Sequence, residues 1–213
     1  MRYDQPMSDP ISSKPQLASS TGGLPSAVGW SQLLLTDRLR PGDAVVDATA
    51  GNGHDTLFLA SLVGPQGRVW AFDVQEAAVL ETRRRLTEAG FGETCAVIHA
   101  GHETMRQKLP EAFHGRLRGI MFNLGYLPGS DKSIITRTET TLQAVASALD
   151  LLADGGLLTV AVYPGHDGGA DEQRQIAEWA ASLPSRRYEV QLFRPINRSA
   201  SPPECWVVWK RPV

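Results

Sequence analysis

Asp47-Ala48-Thr49-Ala50-Gly51-Asn52-Gly53 sets an acid four residues ahead of Gly51, and Asp73 lies 22 positions beyond that glycine. Glycines let a backbone turn tightly and approach a ligand closely, and an acid roughly 20 residues further on can accept hydrogen bonds from both ribose hydroxyls. A dinucleotide site carries a third glycine that admits a pyrophosphate. Here that position is Thr56, and Asp47 suits a cationic sulfonium, engaged directly or through water. The pattern therefore points to S-adenosylmethionine, with Ala48, Asn52, His54, Asp55, Thr56, Val74 and Asn123 expected as further cofactor contacts beside the glycines and the two acids. The alternative is structural: Asp47 caps the loop and Asp73 only ends a strand.

These residues need a sheet to hold them. Met1 to about Pro25 is rich in Ser, Pro and Gly and has no periodicity, so we expect a disordered or loosely docked tail (1–25) ahead of one domain (26–213). From Ser26, apolar residues recur at near-helical spacing until Pro41-Gly42. Strands are expected at Ala44–Asp47, Arg68–Asp73, Cys95–His99, Gly119–Asn123 and Leu157–Tyr163. Helices are expected at Asp55–Leu62, Ala77–Ala89, Thr140–Leu152 and Asp171–Leu183. Two late strands, Tyr188–Phe193 and Cys205–Lys210, would close the chain. The alternation predicts an α/β, Rossmann-like fold: a mostly parallel seven-stranded sheet with an antiparallel edge hairpin and helices on both faces.

Asn123-Leu124-Gly125-Tyr126 falls at the end of the fourth strand, where the sheet would present it to the cofactor. A neutral amine attacking a sulfonium methyl must be oriented, and the Asn123 carboxamide oxygen and the Leu124 carbonyl can accept its N–H bonds. Tyr126 can stack on a base, while the bland reading has Asn123 capping a turn and Tyr126 packing on the rim. His102 follows the third strand, where such folds hold adenine. Tyr163 and His166, in Tyr163-Pro164-Gly165-His166, lie on the same rim and could face substrate or take a proton. A lone histidine is more often structural, and no ligand-spaced His/Cys cluster indicates a metal.

The chain has 213 residues, 42% hydrophobic, with a formal net charge of -2. That suffices for one sizeable core and leaves no global positive field for nucleic acid. An RNA partner would need a local patch: the Lys132 and Arg137 loop first, extended by Arg83 to Arg85, Arg186-Arg187, Arg194 and Arg198, although a helical arginine run is usually only a solvated face. The two cysteines, Cys95 and Cys205, fit free thiols in a reducing compartment. No run approaches the ~18 apolar residues of a membrane span, so a cytoplasmic protein is expected, with a homodimer left open.

The D-x-x-x-G-x-G motif resembles that of class I methyltransferases, and Asn123-Leu124-Gly125-Tyr126 resembles the N-P-P-Y signature of amine-directed members. The words DATAGNGHDT, FNLGYLPG and YPGH, with the run Asp131 to Thr141, Asn197 and Pro202-Pro203, are similar to a small family labelled rRNA methylases. That family includes a bacterial tRNA methyltransferase. Ser130 and Thr138 depart from it, where Gly and Pro are usual. The resemblance covers Leu33 to Lys210 and implies methylation of the amine of 5-aminomethyl-(2-thio)uridine at the tRNA wobble position. Other readings are the same cofactor with rRNA, protein or a small-molecule amine, or a non-catalytic cofactor- or RNA-binding module. A nicotinamide dehydrogenase is disfavoured by Thr56.

Overall fold

In a computed structural model, residues 23–125, 138–165, 168–198 and 201–212 are described. Seven strands form one sheet in the order β3-β2-β1-β4-β5-β7-β6. They are β1 (Ala44–Asp47), β2 (Arg68–Asp73), β3 (Cys95–His99), β4 (Leu117–Asn123), β5 (Leu152–Val162), β6 (Tyr188–Phe193) and β7 (Glu204–Lys210). The first five pair in parallel, and β7 runs antiparallel to both β5 and β6. The expected antiparallel edge is therefore present. Every residue of β1 is buried, as a parallel strand covered on both faces requires.

One face is covered by α1 (Ala27–Arg38), α2 (His54–Val63) and α3 (Glu76–Glu88), which pack with Val45, Val69, Met121 and Val207. The other face carries α4 (Met105–Lys108), α5 (Thr138–Leu151) and α6 (Gly169–Ser182), which enclose Phe72, Ile120, Phe122 and Val160. The connection from β3 to β4 holds the short α4 and two 3-10 turns, His102–Thr104 and Glu111–Phe113, that the sequence did not announce. Isolated single turns carry too little periodicity to read.

α1 starts where Ser26 Oγ accepts the Gly29 N–H at 3.1 Å. Its buried stripe is Ala27, Ser31 and Leu35, at i, i+4 and i+8, rather than its more apolar neighbours. Ser31 is tolerated there because its hydroxyl reaches the Ala27 carbonyl and the Cys205 Sγ, both at 3.4 Å. Trp30 stacks on Phe193 with ring centroids 4.6 Å apart, which ties α1 to the antiparallel edge. Thr138 opens α5, where a helix needs no intrahelical N–H, so the proline usual at this family position and threonine both fit.

The sheet also fixes two rims. Parallel strands end on the side of Asp47, Asp73, Asn123 and Val162, and β6 ends there at Phe193. Arg186 and Arg187 precede β6 on the opposite side, where Arg187 meets Asp154 at 3.5 Å.

Lys210 closes the last strand against α5. Its buried Nζ donates to the Leu149 and Leu152 carbonyls at 2.8 and 2.7 Å, which satisfies acceptors at the helix C-terminus. Lys210→Met should strand both carbonyls and cost about 1 to 3 kcal/mol in denaturant unfolding, whereas an unchanged midpoint would show that water replaces the ammonium.

Candidate active site

β1 delivers Asp47 to the rim, and the loop after it folds back over the carboxylate. Oδ1 accepts the Thr49 N–H at 3.1 Å and Oδ2 accepts the Thr56 hydroxyl at 2.6 Å. Asp47 has no exposure, so it lies beneath the loop. Each carboxylate oxygen thus already accepts one hydrogen bond from the chain itself. Burial, and then repulsion from Asp55, push the Asp47 carboxyl up to about 7, with Asp73 adding a smaller push.

Thr56, expected from sequence as a cofactor contact at the position of the missing glycine, has the hydroxyl that donates to Asp47. Gly51 and Gly53 adopt left-handed backbone, φ +53° and +78°. A Cβ on Gly53 would come within 2.9 Å of the Thr82 Cα on α3, so the loop can lie this close to that helix only with glycine there. Thr82 Oγ1 donates to the Gly51 carbonyl at 3.0 Å, and Arg85 Nε donates to the Asn52 carbonyl at 2.7 Å. Asp73 Oδ2 accepts the Gly51 N–H and Oδ1 the Gln75 N–H, both at 2.8 Å.

Asn123 ends β4 beside this loop. Its backbone N–H donates to Thr49 Oγ1 at 2.7 Å, and its Nδ2 donates to Asp55 Oδ2 at 3.2 Å. Asp55, 8% exposed on the first turn of α2, also accepts from Gln32 Nε2 at 2.9 Å. Burial raises its pKa, and the bonds from Gln32 and Asn123 oppose that rise. His54 is exposed next to it. Leu124 is buried, its N–H donating to the Ala161 carbonyl at 2.9 Å.

Tyr163 follows β5 on this rim, with Gly125 close enough that a Cβ there would sit 3.8 Å from its Cδ2. Burial, then the nearby Asp55, push its phenol up to about 12. Ala48 is buried beneath the loop, and Val74 is exposed with its carbonyl accepting from His99 Nε2 at 2.9 Å. His102 is buried against Phe122, ring centroids 5.5 Å apart, and burial lowers its pKa, so its ring is held neutral. Tyr126, Lys132, Arg137 and His166 lie outside the described residues.

The arginines of α3, candidates to extend an RNA surface, have partners within the chain. Arg83 donates to the Val97 carbonyl, Arg84 pairs with Glu81 and Glu88, and Arg85 holds the glycine loop. Helical spacing puts each of these arginines within reach of acids or carbonyls, and Arg186 and Arg187 lie on the far rim. Arg194 is on the site's rim, paired with the buried Glu204 at 3.1 Å. The residues sequence reasoning missed are Gln32, Thr49 and Thr82, whose partners lie 23, 74 and 31 positions away.

The donor set fits S-adenosylmethionine. A glycine cradle that a side chain would fill lies among three carboxylates, Asp47, Asp55 and Asp73, whose field favours a cation. Among the described residues no group of three or more His, Cys, Asp or Glu could hold a metal, and no helix is long and apolar enough to cross a membrane.

Sheet order, antiparallel edge and loop together are those of the class I S-adenosylmethionine-dependent methyltransferases. Within that class the chain belongs to the family described as "Putative rRNA methylase", which matches residues 69–209. It is 37% identical over 183 residues to a chloroplastic tRNA (mnm(5)s(2)U34)-methyltransferase of Arabidopsis thaliana, covering 82% of this chain and 64% of that relative's length. The crystal structure of a "putative rRNA-methylase" from Clostridium thermocellum superposes with a TM-score of 0.84 at 39% identity, over 88% of this chain and 99% of that one. A "putative methyltransferase" from Streptococcus mutans, in complex with SAH, gives 0.79 at 33% identity, over 88% and 99%.

The raised Asp47 pKa has two consequences of opposite sign. An unfolded aspartate titrates near 3.8, so in the ligand-free chain this group's stabilising contribution is full below that value and is lost as pH rises through about 7. A cationic cofactor favours the ionised form, so its affinity should increase through the same window, by at most about tenfold per pH unit. Calorimetric titration of S-adenosylmethionine at several pH values should show that rise for the native chain and lose it in Asp47→Asn. A parallel slope in the variant would assign the titration elsewhere.

Proposed function

We propose that this chain methylates the amine of 5-aminomethyl-(2-thio)uridine at the wobble position of tRNA. The observation that carries the reading is the placement of Asn123: it ends β4 beside the glycine loop, and both its backbone and its side chain are fixed, by Thr49 and Asp55. The similarity to the Arabidopsis thaliana tRNA methyltransferase supports the substrate.

Loop residues 51–53, with Asp73 at the end of β2, would hold S-adenosylmethionine, whose sulfonium carries an electrophilic methyl carbon. Asn123 Oδ1 accepts an N–H of the substrate amine, orienting its lone pair for attack. The Leu124 N–H is already committed to Ala161, which sets the direction of the chain as it leaves the strand. Tyr163 remains a neutral hydroxyl on the rim at physiological pH, since its phenol titrates at about 12. Tyr126 stacks on the uridine, Lys132 and Arg137 contact phosphates, and His166 receives a proton in this reading. Such an enzyme works in an RNA-processing setting, among tRNA partners.

Asn123→Ala should lower the single-turnover methylation rate on tRNA bearing 5-aminomethyluridine by ~10² or more, with the dissociation constant for S-adenosylmethionine little changed. Full activity in the variant would refute amine positioning, and lost cofactor affinity would move Asn123 into the cofactor site.

A further inference from the structure

Three side chains meet across elements that the sheet order does not by itself bring together. Gln32 of α1 donates to Asp55 Oδ1 at 2.9 Å, and Asn123 Nδ2 donates to Asp55 Oδ2 at 3.2 Å. An ionised carboxylate only accepts hydrogen bonds, so Asn123 turns its NH2 group toward Asp55 and its Oδ1 away. Its backbone cannot swing to compensate, because the Thr49 hydroxyl holds the N–H at 2.7 Å.

We infer that Asp55, held by Gln32, is a positioning residue that sets the Asn123 carboxamide so that its oxygen, not its NH2 group, faces the substrate amine. The inference rests on the amine-methylation reading above. A neutral amine has two N–H donors and one lone pair. A carboxamide oxygen binds an N–H and leaves the lone pair free, whereas an NH2 group would donate to that lone pair and occupy it. α1, which precedes the first strand, thereby becomes part of the catalytic apparatus. Within the chain, the partners of Asp55 are two amides.

The charged and titratable groups facing Asp55 are Asp47 at the end of β1, His54 beside it on α2 and Tyr163 beyond β5. Burial favours its protonated form, and Gln32 is the largest opposing influence. A protonated Asp55 could donate to Asn123 Oδ1 and reverse the carboxamide.

The test uses the full chain, saturating S-adenosylmethionine and tRNA bearing 5-aminomethyluridine. Single-turnover rates are measured for the native protein, Asp55→Asn, Asn123→Ala and the double variant. Asp55→Asn preserves size but can present NH2 to Asn123 Oδ1. At saturating cofactor it should lower the rate about tenfold or more and add no further loss to Asn123→Ala. Gln32→Leu keeps the carboxylate and removes the bond that favours ionisation, so the acid limb of the rate–pH profile should move to higher pH. The inference is overturned if the Asp55→Asn and Asn123→Ala losses multiply in full, if the Asp55→Asn loss vanishes at saturating S-adenosylmethionine, or if the Gln32→Leu profile coincides with the native one. A fully active Asn123→Ala, or a native chain inactive on this tRNA, overturns the amine reading itself and the inference with it.

Discussion

A buried carboxylate under a glycine loop is the constraint on which the site depends. Asp47 has no exposure, and a charge so placed is costly unless its oxygens are paired. The loop supplies the Thr49 N–H and the first turn of α2 the Thr56 hydroxyl, which fixes how the chain passes from β1 into α2. Thr49 then uses its own hydroxyl to hold the Asn123 N–H, so the conformation that satisfies Asp47 also sets the end of β4. One residue's desolvation thus couples the cofactor loop to the proposed amine-binding position.

Asp55 and Asp73 extend the same arrangement. Asp55 and Asp73 both raise the cost of ionising Asp47 in the ligand-free chain, and the cation the site would accept relieves it. Pairing within the protein is only partial compensation. The antiparallel edge contributes from the side, since Phe193 and Cys205 anchor α1, and α1 carries Gln32 to Asp55.

Much of this was legible in the sequence, and the physical reason is periodicity. Asp47 and Asp73 end strands whose bounds, Ala44–Asp47 and Arg68–Asp73, are as the apolar runs imply, and Asn123 ends β4 as expected. The strand ends fix where the acids and the amide stand on the rim. What stayed hidden is pairing at long range. Gln32 looks like an ordinary polar residue on α1, and Thr56 like a lost glycine, until the fold brings Asp55 and Asp47 to them. The arginines of α3 read in sequence as a charged face, and helical spacing and the nearby loop give each a partner within the protein.

Mass spectrometry of tRNA nucleosides from cells with and without the gene tests the central claim most directly. The account predicts that loss of the gene removes the 5-methylaminomethyl nucleoside, that its 5-aminomethyl precursor accumulates, and that restoring the gene reverses both changes. An unchanged wobble-uridine profile, with a methyl mark lost from rRNA instead, would contradict it.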